Sequence, residues 1–256
     1  MKTSFSEIIG DIFYEMKQSG LFHILNIIIH IALVLLMAYV STLFVSFFNG
    51  FMNKVEAIEF VTRTQYLKDF IPILNEVVDY LIILLLCSTF ITNLAFGTLD
   101  IINEGGISIY NLFSNLLQTF LKSFSTTLWM GVTLVPVTSI CLLLITILEK
   151  MLTNQLVLIG IVIALIMLIV YQILKYTYVY FILADNVELT AIQVCHISKE
   201  MFKQSRTFLF SVTIIIVVIG LVLSKLNLGT IPIVIAIILL PLFINILLAK
   251  VYIMLK

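Results

Sequence analysis

Three polar residues, His23, Asn26 and His30, stand at steps of three and four residues within a long apolar stretch. In an α-helix this spacing puts all three on one face. A polar stripe inside a membrane is costly unless it faces protein or water. One interpretation is a stripe that carries protons or lines a ligand path, since imidazole titrates near physiological pH. The other, which we favour, is structural, with His23 at the interface and Asn26 bonded to a neighbouring helix.

Lys175 is the deepest basic residue of the apolar segments, and it is surrounded in sequence by Tyr171, Tyr176, Tyr178 and Tyr180. A long lysine near the end of a span can extend its ammonium to the lipid headgroups, where tyrosines also gather. Alternatively, Lys175 lines a pathway or pairs with Asp79 or Asp185. We favour the first interpretation, because the end of the span lies only a turn or two away.

Three prolines are candidate helix kinks, Pro136 in the third apolar segment and Pro232 and Pro241 in the last. The segment around Pro136 is also rich in hydroxyl groups, contributed by Thr126, Thr127, Thr133, Thr138, Ser139 and Thr146. Hydroxyls compensate for broken backbone bonds and help helices associate. A kinked, hydroxylated helix is equally typical of a permeation path, and the pattern leaves both interpretations open.

Known catalytic patterns are missing from the sequence. It contains no hydrolase elbow, phosphate-binding loop, zincin helix or paired carboxylates. Cys87, Cys141 and Cys195 lie far apart, and two histidines without a nearby carboxylate make a poor metal site. We therefore expect no enzyme activity, no metal and no cofactor.

The composition indicates a membrane protein. Of the 256 residues, 62% are hydrophobic and 11% charged, whereas a soluble domain carries about 25% charged residues. The lipid bilayer is the solvent that accommodates such a chain. A formal net charge of zero gives no basic face for nucleic acid, so we expect no nucleic-acid partner.

Six apolar segments are long enough to cross about 30 Å of hydrocarbon. They cover Leu21–Phe48, Val78–Leu99, Phe124–Leu148, Leu156–Leu183, Phe208–Leu226 and Ile231–Met254. The sequence therefore predicts an all-α integral membrane protein with about six transmembrane helices. We expect one membrane domain over residues 1–256, with the longest outer link from Asn49 to Asn75.

Three amphipathic segments precede alternate spans, at Ser4–Lys17, Ile109–Phe124 and Asp185–Arg206. In the first of them, the predicted polar face, opposite the apolar one, carries Glu7, Asp11 and Glu15. Asp185 is the predicted N-cap of the third. The chain then consists of three hairpins, each preceded by a cytoplasmic amphipathic helix, in units of about 1–100, 101–184 and 185–256. Whether these units are a true repeat stays open.

The distribution of Lys and Arg predicts the orientation. With the N-terminus inside, eight basic residues lie on the inner side: Lys2, Lys17, Lys122, Lys199, Lys203, Arg206, Lys250 and Lys256. Five lie outside: Lys54, Arg63, Lys68, Lys150 and Lys225. We therefore expect a multipass protein of the cell membrane with both termini in the cytoplasm.

The second half of the chain carries a family resemblance. Its residues are Tyr180-Phe181-Ile182-Leu183-Ala184-Asp185-Asn186, then Ala191-Ile192 and Ser198-Lys199-Glu200-Met201, with Leu112-Phe113 and Leu128-Trp129 earlier. This pattern resembles an uncharacterised multipass family of bacterial membrane proteins, similar in turn to the membrane domain of some glycerophosphodiester phosphodiesterases. Val187 stands where that family has proline. The resemblance implies the multipass architecture and no particular activity.

The six-span layout is also similar, in architecture alone, to permease subunits of ATP-binding cassette exporters. It leads us to expect a non-catalytic subunit that assists transport or export. Its partners would be a separate ATPase or another membrane subunit at the cytoplasmic helices. The alternative is an immunity or stress protein that binds or neutralises a peptide.

Overall fold

The computed structural model describes residues 5–56, 65–151, 155–225 and 230–256, and within these ranges the chain is helical without any strand. The helices are α1 (Phe5–Glu56), α2 (Gln65–Glu104), α3 (Ile109–Met151), α4 (Gln155–Leu174), α5 (Val179–Asp185), α6 (Ala191–Lys225) and α7 (Thr230–Leu255). The all-α prediction is confirmed.

Five helical segments in the described ranges are long and apolar enough to cross a membrane. They are Glu7–Phe47, Glu76–Glu104, Ile109–Lys150, Gln155–Asp185 and Ala191–Ile219. The last predicted span falls on α7, whose side chains are described from Leu242 to Leu255, and this part of the helix is apolar. A multipass membrane architecture fits these helices, and the sixth span stays a prediction.

The amphipathic segments are continuous with the spans that follow them. α1, α3 and α6 each run without interruption from the predicted surface segment into the apolar stretch. Gly20 does not end α1, because good helix formers surround it on both sides. α1 ends later than its predicted span and α2 begins earlier, so both helices include part of the predicted outer link. Only residues 57–64 of that link lie outside the described residues.

The beginning of α6 corrects a prediction. Asp185 is the last residue of α5 rather than the N-cap of the next helix. The cap is Thr190, whose hydroxyl oxygen accepts from the backbone N–H of Gln193 at 3.4 Å, while Gln193 Oε1 accepts from the backbone N–H of Thr190 at 2.9 Å. This reciprocal pair is a capping box, and the spacing Thr-x-x-Gln is its sequence signature.

The predicted fourth span is also interrupted. Residues 175–178 form a turn between α4 and α5. The backbone N–H groups of Tyr176 and Thr177 donate to Ile173 and Leu174 at 3.0 and 3.2 Å, three residues back instead of four. The backbone therefore tightens at this turn before α5 begins at Val179.

Helices that follow each other along the chain pack side by side. α2 contacts α1 and α3, α4 contacts α3, and α7 contacts α6 and α1. Asn26 with Leu94, and Ser123 with Thr92, are examples of these contacts. The links 57–64, 152–154 and 226–229 lie outside the described residues, so the three-hairpin layout stays a prediction.

The apolar core lies around α5, whose residues Val179, Phe181, Ile182, Leu183 and Ala184 are all buried. The Phe181 ring stacks on Tyr252 of α7, with centroids 5.9 Å apart. Lys122 of α3 donates to the backbone carbonyl of Val187, just beyond α5. A seven-residue helix therefore joins the ends of α2, α3, α6 and α7.

The outer surface is apolar. No residue of α4 is buried, although the helix consists almost entirely of Ile, Leu, Val and other apolar residues. Large hydrophobic side chains are also exposed along α1 and α3, including Leu35, Tyr39, Val132 and Leu143. Lipid chains are the surroundings that such a surface suits.

Candidate functional site

The predicted polar stripe is part of a longer stripe on α1. Seven residues at steps of three or four form it, and all are buried: Ile8, Ile12, Glu15, Ser19, His23, Asn26 and His30. The first two belong to the apolar core, and the last five form a polar column, the name used below for Glu15 to His30 on α1. The structure therefore brings together all three residues predicted from sequence.

Glu15 is the residue that the sequence interpretation misplaced. Its side chain is only 9% exposed, and it shares a face with Ile8. Seven residues make two helical turns less about 20°, so these two positions must lie on the same side of α1. The other two acidic residues of this segment, Glu7 and Asp11, are exposed. The heptad spacing from Ile8 was the signal that could have identified Glu15.

Two basic side chains hold the Glu15 carboxylate. Lys250 Nζ of α7 lies 2.8 Å from Glu15 Oε2 and donates a hydrogen bond to it. His23 Nε2 lies 3.6 Å from Glu15 Oε1, which is an ion-pair distance when the ring is protonated but too long for a hydrogen bond. A carboxylate in an apolar bundle needs such partners, because removing an unpaired charge from water costs several kcal/mol.

Asn26 lies at a close approach of α1 and α2. Its Nδ2 is 3.4 Å from both the Leu94 carbonyl oxygen and Thr98 Oγ1, and Asn245 Nδ2 of α7 donates to the same Thr98 oxygen at 2.6 Å. Gly97 has no side chain here, and a Cβ at that position would collide with the Asn26 carboxamide. The expected bond from Asn26 to a neighbouring helix is present, with a third helix joining it.

His30 is at the C-terminal end of the polar column. Its Nδ1 lies 2.7 Å from the carbonyl oxygen of Asn26. Because a carbonyl only accepts, Nδ1 carries the hydrogen, which leaves Nε2 as the acceptor of the neutral ring. The same ring borders an apolar cavity of about 270 Å³ between α1 and α2.

A second polar seam joins α2 and α3. Ser123 Oγ donates to Thr92 Oγ1 at 2.8 Å, and Asn93, Asn115 and Thr119 are buried beside it. Within the described parts of the chain, seven buried polar atoms of the polar column and of this second seam have no hydrogen-bond partner. They are His23 Nε2, Asn26 Oδ1, His30 Nε2, both amide atoms of Asn93, Asn115 Oδ1 and Thr126 Oγ1. Buried polar atoms are ordinarily satisfied, so these seven are the atoms of the interior that could still bond to water or to a polar ligand.

Lys175 lies at the break between α4 and α5. Its ammonium donates to Gln172 Oε1 at 2.8 Å and lies 4.6 Å from the centroid of the Tyr171 ring. Asp185, offered by the sequence as a partner, instead accepts from Tyr252 at 2.8 Å and pairs with Lys256 at 2.6 Å. Lys175 is half-buried and lines a separate cavity, outside the polar column.

The three prolines lie inside helices. α3 continues across Pro136, whose side chain is exposed. The backbone of α7 is helical through Pro232 and Pro241, whose side chains lie outside the described part of the structure. None of the three contributes to the polar column.

Metal binding has no support in the described residues, where no group of three or more His, Cys, Asp or Glu side chains could hold an ion. Comparisons with known proteins return no match for this chain, whether to family models, to curated proteins or to solved structures. The fold defines an all-helical protein with several helices suited to spanning a membrane, and the resemblance to the uncharacterised multipass family stays a prediction.

Proposed function

We propose that the protein is a non-catalytic, multipass subunit of a membrane transport system, and that the polar column of α1 is its proton-carrying element. The observation that carries this proposal is the buried Glu15 carboxylate, held between Lys250 and His23 inside a bundle with an apolar exterior. Ionisable groups inside membrane helices are rare, and they usually face a substrate or proton path.

The length of the column supports a role across the bilayer. From Glu15 to His30 the helix rises about 22 Å, most of a hydrocarbon layer of about 30 Å. Imidazole is the side chain whose charge changes most readily near neutral pH, and chains of carboxylates and histidines form the proton relays of membrane pumps and transporters. His23 Nε2 faces the Glu15 carboxylate, and His30 Nε2 has no hydrogen-bond partner. Both rings lie on the same face of the helix, and we propose that they accept protons in turn.

The finer architecture belongs to the same proposal: six spans in three hairpins, and both termini in the cytoplasm of a cell-membrane protein. Exposed charged residues of α6, among them Glu200, Lys203 and Arg206, suit a partner at the cytoplasmic surface. A separate ATPase or a second membrane subunit is the partner we propose. Its retention during purification of the full chain in mild detergent tests this part.

A proton-uptake assay in vesicles tests the column. Purified protein is reconstituted into phosphatidylcholine vesicles that contain a pH-sensitive dye, and valinomycin with a potassium gradient makes the interior negative. We expect vesicles with the wild-type chain to acidify faster than empty ones. Glu15→Gln removes the proton-accepting carboxylate and should bring the rate back to that of empty vesicles.

Asp11→Asn is the matched control, because Asp11 lies one turn away on the exposed face of α1. This variant should keep the wild-type rate. Wild-type vesicles that acidify no faster than empty ones would eliminate the proton-carrying role. Equal loss in both variants would assign the effect to surface charge and would favour the immunity-type alternative.

A further inference from the structure

A cavity of about 460 Å³ lies where the end of α4 meets the first turns of α6. Three lysines line it, Lys175 from the turn after α4 and Lys199 and Lys203 from α6, together with one carboxylate, that of Glu200. Lys199 and Lys203 are four residues apart and therefore share a face of α6. The cavity thus gathers more positive than negative charge from two separate elements.

Two of these lysines are held by neutral groups. The Lys175 ammonium contacts the amide of Gln172 and the face of Tyr171, and the Lys199 ammonium lies 5.2 Å from the centroid of the Tyr176 ring. Among the residues that the structure describes, neither ammonium has a carboxylate in ion-pair range, whereas Lys203 pairs with Glu200 at 2.7 Å. Ring faces orient a cation without neutralising it, so both charges remain available to an anion.

The position of the cavity along α4 indicates its depth in the bilayer. α4 covers 20 residues without a charged side chain, which corresponds to about 30 Å, the thickness of the hydrocarbon layer. Lys175 follows directly, and the apolar stretch of α6 begins only after Arg206. The lysines of the cavity therefore lie at the level of lipid headgroups.

We infer that this cavity binds a phosphate group, as the phosphodiester of an anionic lipid headgroup or as soluble phosphate. Lysine ammonium groups donate charge-assisted hydrogen bonds to phosphate oxygens, and basic recesses between membrane helices suit anionic headgroups. The inference is independent of proton transport, because no residue of the cavity belongs to the polar column.

Native mass spectrometry of the full chain in neutral detergent tests the inference with three probes: phosphatidylglycerol, phosphatidylcholine and inorganic phosphate. We expect wild-type protein to retain phosphatidylglycerol in preference to phosphatidylcholine. The double variant Lys175→Gln with Lys199→Gln should lose affinity by about 25-fold, since each lysine near a membrane surface contributes roughly a fivefold effect. Lys175→Arg with Lys199→Arg keeps both charges and should retain the lipid, which separates charge loss from misfolding.

The control is Lys17→Gln with Lys150→Gln, which removes two exposed charges away from the cavity. Equal loss of phosphatidylglycerol in this control, or no loss in the Lys175 and Lys199 double variant, would overturn the inference. If inorganic phosphate displaces the lipid from wild-type protein but does not bind the double variant, soluble phosphate is the ligand. If it does not displace the lipid, the headgroup is the ligand.

Discussion

At the scale of single residues, the contact between Asn26 and Gly97 leaves no room for an added methyl group. Asn26 reaches Leu94 and Thr98 only because Gly97 allows α1 and α2 to approach each other there. Small residues at such crossings are a common device of membrane helices, since they let backbones come close. The position of Asn26, and with it that of His30 one turn further, rests on this glycine.

Gly97→Ala tests the contact. The new methyl group would collide with the Asn26 carboxamide, so we expect the free energy of unfolding to fall by about 1–3 kcal/mol, the usual cost of overpacking. The measurement is reversible unfolding of the purified chain in mixed detergent. Gly131→Ala is the matched control, because nothing lies within 4 Å of a Cβ at Gly131. It should be neutral or gain up to about 1 kcal/mol from the better helix propensity of alanine.

A double variant separates the collision from other effects. Asn26→Ala removes the group that the new methyl meets, so Gly97→Ala should cost much less in that background than in the wild type. If the two changes were additive, Asn26 would not be the neighbour of Gly97, and the close approach of α1 and α2 would be wrong.

At the scale of elements, the break between α4 and α5 is held by side chains of α6. Tightened hydrogen bonds at Tyr176 and Thr177 leave the Lys175 carbonyl outside the regular helical pattern. Ser198 of α6 donates its hydroxyl to that carbonyl at 2.9 Å. Tyr178, at the start of α5, donates to Ser205 of the same helix at 2.9 Å. α6 therefore holds the break from both sides.

Removing one of these bonds should loosen the break. Ser198→Ala leaves the Lys175 carbonyl without its partner, and we expect a loss of about 1–2 kcal/mol in the free energy of unfolding. Hydrogen exchange should rise in residues 175–185. The control is Ser211→Ala, whose hydroxyl only bonds the Thr207 carbonyl of its own helix at an exposed position. Unchanged exchange after Ser198→Ala would mean that α6 does not hold the break.

The sequence predicts the helices well because apolar runs of this length have few other solutions. It does not predict the break, since no glycine or proline marks residues 175–178 and the turn depends on partners in α3 and α6, such as Thr133 for Tyr176. The burial of Glu15 could have been predicted from its heptad spacing to Ile8. Its partner Lys250 could not have been predicted, because 235 residues separate the two.

At the scale of the whole molecule, the exterior is apolar like the core around α5, which distinguishes this chain from a soluble protein. Apolar side chains cover the outside of α1, α3 and α4, while amides, hydroxyls and charged groups lie between α1, α2, α3 and α7. In a bilayer, the exterior needs no water, and the interior can be reserved for polar contacts. The apolar exterior supports the membrane assignment, and the buried polar groups support the proposed transport role.

The order of the helices also predicts on which face of the membrane each connecting segment lies. The end of α3 and the start of α6 should lie on opposite faces of the membrane, because a single apolar pass, α4, lies between them. Single cysteines at Lys150 and Lys203, with Cys87, Cys141 and Cys195 replaced by serine, can be labelled with an impermeant maleimide. We expect labelling of Lys150→Cys from outside intact cells and of Lys203→Cys only after permeabilisation. Labelling of both from the same side would contradict the topology.

The central claim is that a carboxylate between α1 and α7 carries protons through a polar interior. The most direct test exchanges the two charges, combining Glu15→Lys with Lys250→Glu, and compares dye-recorded proton uptake by vesicles with that of each single change. The exchanged pair keeps one carboxylate and one ammonium at the same place, so we predict uptake above empty vesicles for the pair. Glu15→Lys alone leaves no carboxylate there and should show no uptake, whereas Lys250→Glu alone keeps Glu15 and should retain it. Uptake that survives in Glu15→Lys alone would contradict the claim.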